Sequence, residues 1–90
     1  MKIEVYTRPN CGQCLASKKW LARDGVPFTE ADLDEEHLAY AKANGIISAP
    51  LIIVWEGDRI VESWGGFRPA QLKATVEKYR TYAIANKYTK

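Results

Sequence analysis

Residues 2–14 read Lys2-Ile3-Glu4-Val5-Tyr6-Thr7-Arg8-Pro9-Asn10-Cys11-Gly12-Gln13-Cys14, and their pattern decides the fold. Lys2 to Thr7 alternates polar and apolar side chains, the period of a half-buried strand. Arg8-Pro9-Asn10 ends it, because proline donates no ladder hydrogen bond. From Gly12 to Asp24 the spacing turns helical. Leu15, Ala16, Lys19 and Trp20 fall on neighbouring helix positions, and Leu21 continues the apolar face. Lys18, Lys19 and Arg23 stand in the later part, where cations complement the helix dipole. Gly25 suits the C-cap.

Outward from that opening, strands and helices keep alternating. Val26 to Ala31 suits a short strand with Pro27 at an edge or at its start. Asp32 or Asp34 caps a second helix, with Glu35 and Glu36 in its first turn, and Asn44-Gly45 ends it. Pro50 leads a β-rich run, Leu51 to Trp55. Glu56-Gly57-Asp58-Arg59 reads as a hairpin turn, and Ile60 to Trp64 pairs back. Gly65-Gly66 permits a tight turn. Pro69 opens a last helix with Leu72, Val76 and Tyr79 on one face. Residues 81–90 extend that helix or fray. The order β-α-β-α-β-β-α predicts an α/β fold with one four-stranded mixed sheet flanked by helices. A right-handed crossover makes the first two strands parallel, and the hairpin makes the last two antiparallel.

Composition narrows the class. The chain has 90 residues, 47% apolar and 27% charged, which suits one small globular domain. Thirteen basic and 11 acidic side chains leave a formal charge of +2, too near balance to argue for nucleic acid or an anionic membrane. The longest apolar-rich stretch, Ile46 to Trp55, is about half the ~20 residues of a membrane span, and Pro50 interrupts it. Glu4 and the lack of an apolar block near the N-terminus argue against a secretory signal, so the expected compartment is the cytoplasm. Two cysteines cannot build a small secreted disulfide framework.

The chemistry therefore rests on Cys11-Gly12-Gln13-Cys14, placed after a strand and at the start of a helix. Thiolate is the reactive form of cysteine, and a helix N-terminus favours it through unpaired amides and the positive end of the dipole. Cys11 falls at or near the N-cap, where its sulfur can accept hydrogen bonds from first-turn amides, including that of Cys14. Cys14 lies further in and is more shielded. Three residues of separation bring the sulfurs within bridging reach. This asymmetry makes Cys11 the attacking thiol and Cys14 the one that resolves the mixed disulfide. Plainer roles stand beside this one. A structural disulfide would close a very short loop, gain little chain entropy and be reduced in the cytosol. A zinc site wants about four ligands, and His37 is the one other strong candidate. Inert buried thiols fit poorly at a helix start.

Three stretches then resemble a known family in matching order: Val5 to Cys14 (V-Y-T-R-P-N-C-G-Q-C), Ser48 to Val54 (S-A-P-L-I-I-V) and Trp64 to Pro69 (W-G-G-F-R-P). Over about residues 2 to 80 the chain resembles the NrdH-redoxins, glutaredoxin-like proteins of the thioredoxin fold. Residues 1–80 would form the redoxin domain. The resemblance implies dithiol–disulfide exchange with no bound cofactor. Electrons would come from NADPH through thioredoxin reductase and pass to the large subunit of class Ib ribonucleotide reductase. The carrier would be a monomer. It also implies that Cys11 and Cys14 are the reactive pair and that Pro50 is a cis-proline. The backbone of Ala49 would then pair with an extended partner segment. Arg8, Gly12, Gln13, Ala49, Pro50, Trp64, Gly66, Phe67, Arg68 and Pro69 are expected to face the partner.

The late motif has two readings. Trp64 is a core aromatic and Arg68 a solvated cation; or Trp64 and Phe67 form an apolar lip and Arg68 ties the start of the third helix to the loop after the second. Two positions depart from the family pattern. Gly12 stands where Val or Met is commoner, and Arg8 where lysine is commoner. A glutathione-dependent glutaredoxin is the alternative. Its pocket for the γ-glutamyl end resembles Gly-Gly-x-Asp-Asp, whereas Gly65-Gly66 is followed here by Phe67-Arg68-Pro69 with no acidic pair. A metal or [2Fe–2S] module would need more thiolates than one chain supplies.

Overall fold

The computed structural model describes residues 1–88. The opening alternation becomes β1, Lys2–Thr7, and the helical spacing after it becomes α1, Gly12–Arg23. β2 (Thr29–Asp32), α2 (Glu35–Ala43), β3 (Leu51–Glu56), β4 (Arg59–Gly65) and α3 (Pro69–Tyr88) follow. The sheet order is β2-β1-β3-β4. β1 pairs parallel with β2, Tyr6 opposite Ala31, because α1 carries the chain back along the sheet. β3 runs antiparallel to both neighbours, with Val5 opposite Ile52 on one side and Trp64 opposite Ile52 on the other.

Strand alternation sorts the core into two layers. Ile3, Val5, Ile52, Val54 and Trp64 face α1 and α3, meeting Leu21, Leu72 and Val76. Tyr6, Leu51 and Ile53 face α2 and meet Ala41. Leu51 to Val54 are all buried, as a central strand covered on both faces requires. Ile52 is fully buried, so truncating it to alanine would cost about 2–5 kcal/mol in lost transfer energy and cavity.

Several boundaries differ from the sequence reading. The second strand begins at Thr29 rather than Val26. Val26 is instead buried in the turn after α1, its N–H bound to the Leu21 carbonyl at 3.0 Å, and Pro27 has no N–H to give the ladder. Asp34, not Asp32, caps α2, and Asp32 ends β2. The buried stripe of α1 is Cys14, Ser17 and Leu21. Leu15 is 50% exposed, because turning Cys14 inward rotates its neighbour about 100° away. β4 starts at Arg59, with a pairing irregularity opposite Val54 and Trp55. α3 continues through residues 81–88 as one helix, while residues 89–90 lie outside those described.

Candidate active site

Pro9-Asn10 turns the chain from β1 into α1. Asn10 takes a left-handed conformation, φ 55°, which asparagine tolerates better than most residues. Cys11 then occupies the N-cap with extended backbone, φ −109° and ψ 104°. Its sulfur accepts the Cys14 N–H at 3.0 Å, and its carbonyl accepts the Leu15 N–H at 3.2 Å. The N-cap sulfur thus stands where a serine or aspartate oxygen commonly satisfies an orphan donor. A thiolate there meets aligned N–H groups and the positive helix end. Cys11 and Cys14 are joined as a disulfide, with Cα atoms 5.2 Å apart. Cys11 is half-buried and Cys14 only 3% exposed. One sulfur is reachable and the other is shielded behind it.

Three chain segments lock together beside this pair. Gln13 reaches from the first turn of α1, and its Oε1 accepts the Phe67 N–H at 2.8 Å. The Pro50 carbonyl accepts the Gly66 N–H at 2.9 Å, and the Ala49–Pro50 bond is cis. Gly66 has φ 83°, and a Cβ there would sit 2.8 Å from Gln13 Oε1 and 3.3 Å from Ser48 Cβ. A Cβ on Gly65 would collide with the Ile46 side chain and the Ser48 carbonyl. Close approach to the Ser48 backbone therefore requires glycine at position 65, whereas at position 66 the left-handed turn between β4 and α3 favours it and the Gln13 side chain crowds any Cβ.

Two hollows flank the junction. One, of about 320 Å³, lies between α2 and the loop before Pro50. Leu33, Leu38, Ala41, Ile46, Ile47 and Leu51 give it an apolar lining, with Arg8, Lys42 and Ala49 around them. Ile47 is 96% exposed, a large apolar side chain held in solvent beside the cysteine loop. The other hollow includes Gln13, Asn44, Ser48, Ser63, Phe67 and Arg68, and among the described residues no carboxylate lines it.

The residues expected to face a partner divide accordingly. Arg8, Gly12 and Pro69 are exposed, and Ala49 and Phe67 are half-buried. Pro50 and Gly66 are buried inside the junction. Trp64 is 2% exposed and belongs to the core, so the apolar lip is not built from it; its pairing with Ile52 turns the ring towards α1 and α3. Phe67 packs edge-on against Trp20, ring centroids 5.9 Å apart. Gln13, expected to meet the partner, spends its amide oxygen within the molecule. Its bond ties α1 to the start of α3. Arg68, expected to tie that start to the loop after α2, is exposed and has no carboxylate partner among the described residues. Ile47 has no role in the sequence reading, and Asn10 and Ser48 enter it only as parts of the strand break and of the Ser-Ala-Pro stretch. An isoleucine just before Ser-Ala-Pro, in a stretch too short for a helix, was the available signal for Ile47.

His37 is engaged elsewhere. Its N–H and its Nδ1 lie 2.8 and 2.7 Å from Asp34 Oδ1, and its ring stacks on Tyr6 at 3.9 Å. Those two contacts, the backbone one first, hold the Asp34 carboxyl below its usual range. Burial, then the neighbouring Glu4 charge, pushes the Tyr6 phenol up to about 12. Among the described residues no three His, Cys, Asp or Glu side chains gather as a metal site. No described helix is long and apolar enough to cross a membrane.

A family model described as glutaredoxin matches residues 3–59. The glutaredoxin-like protein NrdH of Escherichia coli K12 is 37% identical over 71 residues, covering 77% of this chain and 82% of that protein. The glutaredoxin-like protein NrdH of Lactococcus lactis MG1363 is 33% identical over 72 residues, covering 78% and 93%. This chain belongs to the NrdH-redoxin branch of the glutaredoxin family. The solved structure of the Escherichia coli NrdH-redoxin, described as glutaredoxin-like with a thioredoxin-like activity profile, superposes with a TM-score of 0.69 at 34% identity, covering 82% of this chain and 93% of that one. Thioredoxin 1 of Thermosipho africanus, 18% identical with a TM-score of 0.60 and covering 93% and 99%, shares the fold. With Cys11 and Cys14 bonded at the start of α1, this redoxin is a thiol–disulfide oxidoreductase.

Proposed function

We propose that this redoxin is a cytoplasmic dithiol carrier. It is recharged by an NADPH-dependent thioredoxin reductase and delivers two electrons to the large subunit of class Ib ribonucleotide reductase. In the reduced carrier, Cys11 thiolate attacks one sulfur of the partner disulfide. A Cys11–partner bond forms as the partner's S–S bond breaks, and the freed partner thiolate takes up a proton. Cys14 gives up its proton and attacks Cys11 Sγ. The Cys11–Cys14 bond closes and the second partner thiolate leaves. The pair is oxidised by two electrons and the partner reduced by two. No bound cofactor enters these steps. Ala49, next to the cis bond, offers its backbone to an extended partner segment, and the apolar hollow beside it accommodates that segment's side chains.

The observation that carries the choice of reductase is the hollow beside Phe67. Among the described residues it holds Arg68 and no carboxylate. The cationic amine of glutathione would lose its acidic partner there and meet a like charge. A missing charge-assisted contact costs ~1.5–3 kcal/mol, roughly 10- to 150-fold in affinity. The test is turnover of a protein disulfide with NADPH and thioredoxin reductase, against NADPH, glutathione reductase and glutathione. Rapid turnover in the first system alone supports the proposal, and efficient turnover in the second alone overturns it. Electron delivery is tested with purified class Ib ribonucleotide reductase as acceptor.

A further inference from the structure

Among the described residues the Ser17 hydroxyl is buried without a hydrogen-bond partner, and Ser17 itself is 0% exposed. Leaving a hydroxyl so costs free energy that alanine, a better helix former of nearly the same size, would not. A helical serine can satisfy itself on the carbonyl four residues back, here that of Gln13, yet Ser17 does not. Ser17 stands three residues after Cys14 in the buried stripe of α1, and residues so spaced are neighbours on one helix face. In this oxidised protein the Cys14 sulfur is drawn towards Cys11 by their bond. The Trp64 indole N–H is also unpartnered, but it lies on β4 and shares no helix with the cysteines.

We propose that Ser17 is a positioning residue for the resolving step, its hydroxyl donating a hydrogen bond to the Cys14 sulfur while that sulfur is unbonded. The hydroxyl is orphaned in the disulfide because its partner is then engaged. Reduction frees the Cys14 side chain to turn towards it. In the mixed disulfide the same bond stabilises the developing Cys14 thiolate, which is only 3% exposed in the buried stripe of α1. When Cys14 attacks Cys11 Sγ its charge passes to the leaving partner sulfur, and the hydrogen bond is released. The inference rests on Cys14 being the resolving thiol.

Hydrogen bonds to charged groups sit at the strong end of the range, so losing one lowers the Cys14 acid constant about tenfold. Nucleophilicity falls with basicity with a coefficient of ~0.4–0.5, so about tenfold less thiolate is offset about threefold. The net effect is a resolving step about three- to fourfold slower at neutral pH. The experiment mixes the reduced protein with dithiobis-nitrobenzoate, an aromatic disulfide, in a stopped-flow instrument. The first phase, dependent on reagent concentration, reports Cys11. The second, independent of it, reports Cys14. Ser17→Ala should leave the first phase unchanged, slow the second, and move its pH profile to higher pH. Ser17→Thr, which keeps the hydroxyl, should restore both. A second phase with the same rate and pH profile in Ser17→Ala overturns the proposal, even if thermal stability changes. Cys14→Ser run alongside should lose the second phase altogether. If it does not, the assignment of Cys14 has failed, and that outcome is separate from the role of Ser17.

Discussion

Replacing Gly66 by alanine tests whether the junction beside the cysteines is a single packed unit. Two effects oppose the new methyl group. Gly66 has φ 83°, and holding an L-residue in a left-handed conformation costs roughly 1–2 kcal/mol. Its Cβ would also lie 2.8 Å from Gln13 Oε1. That oxygen is the far end of a flexible side chain, so it moves away, and the Phe67 N–H loses its acceptor. A hydrogen bond of this kind is worth about 1 kcal/mol net. The sum is about 2–3 kcal/mol, or roughly 10–20 °C in melting temperature for a domain of this size. Gly45 is the control. Its φ is 71° and nothing lies within 4 Å of its Cβ position, so Gly45→Ala should show the backbone cost alone. Denaturant unfolding of the oxidised proteins gives both values. In a Gln13→Ala background the collision with Oε1 is gone and only the 3.3 Å approach to Ser48 Cβ remains, so Gly66→Ala should then cost about 1 kcal/mol less than in the parent protein. If Gly66→Ala costs no more than Gly45→Ala in the parent protein, or if the Gln13 background makes no difference, the interlock is wrong.

Two further outcomes follow from the same geometry. Cys11→Ser should abolish exchange with a protein disulfide, whereas Cys14→Ser should accumulate a mixed disulfide with the partner, detectable by intact mass; full dithiol turnover by Cys14→Ser would contradict the assigned roles. The Tyr6 phenol, raised from 10.0 to about 12, favours its protonated form in the folded state. Its contribution to stability is therefore complete below pH 10.0 and is lost as pH climbs towards about 12. Comparing denaturation midpoints of the parent and Tyr6→Phe across that range should show a steeper alkaline loss in the parent, and identical slopes would refute it.

Much of the fold could be read from residue order because local signals agreed with one another. Lys2 to Thr7 alternates cleanly, Leu51 to Val54 is a continuous apolar run, and Asp34, Asn44 and Pro69 mark helix ends in the expected way. The misplacements arose where tertiary packing chose between equivalent local patterns. Leu15 and Cys14 are both apolar neighbours on α1, and only the position of the sheet decides which turns inward. Val26 carries a strand-like side chain but serves the turn after α1. At the site, the placement of Cys11 at the N-cap with Cys14 behind it was legible because an N-cap has a fixed geometry. Gln13 was not, since its acceptor duty joins residues 54 apart in sequence. Trp64 and Arg68 sit in one motif, yet one enters the core and the other faces solvent, a division set by the alternation of β4 and the start of α3.

The central claim is that the end of α1 prepares the Cys11 sulfur for attack. Its most direct test is the pH dependence of thiolate absorbance in the reduced protein, with Cys14→Ser used to isolate Cys11. The account predicts ionisation well below the range of a free cysteine, with the ionisation of Cys14 in the reciprocal Cys11→Ser variant lying above that of Cys11. A Cys11 thiol that ionises like free cysteine, or after Cys14, would contradict it.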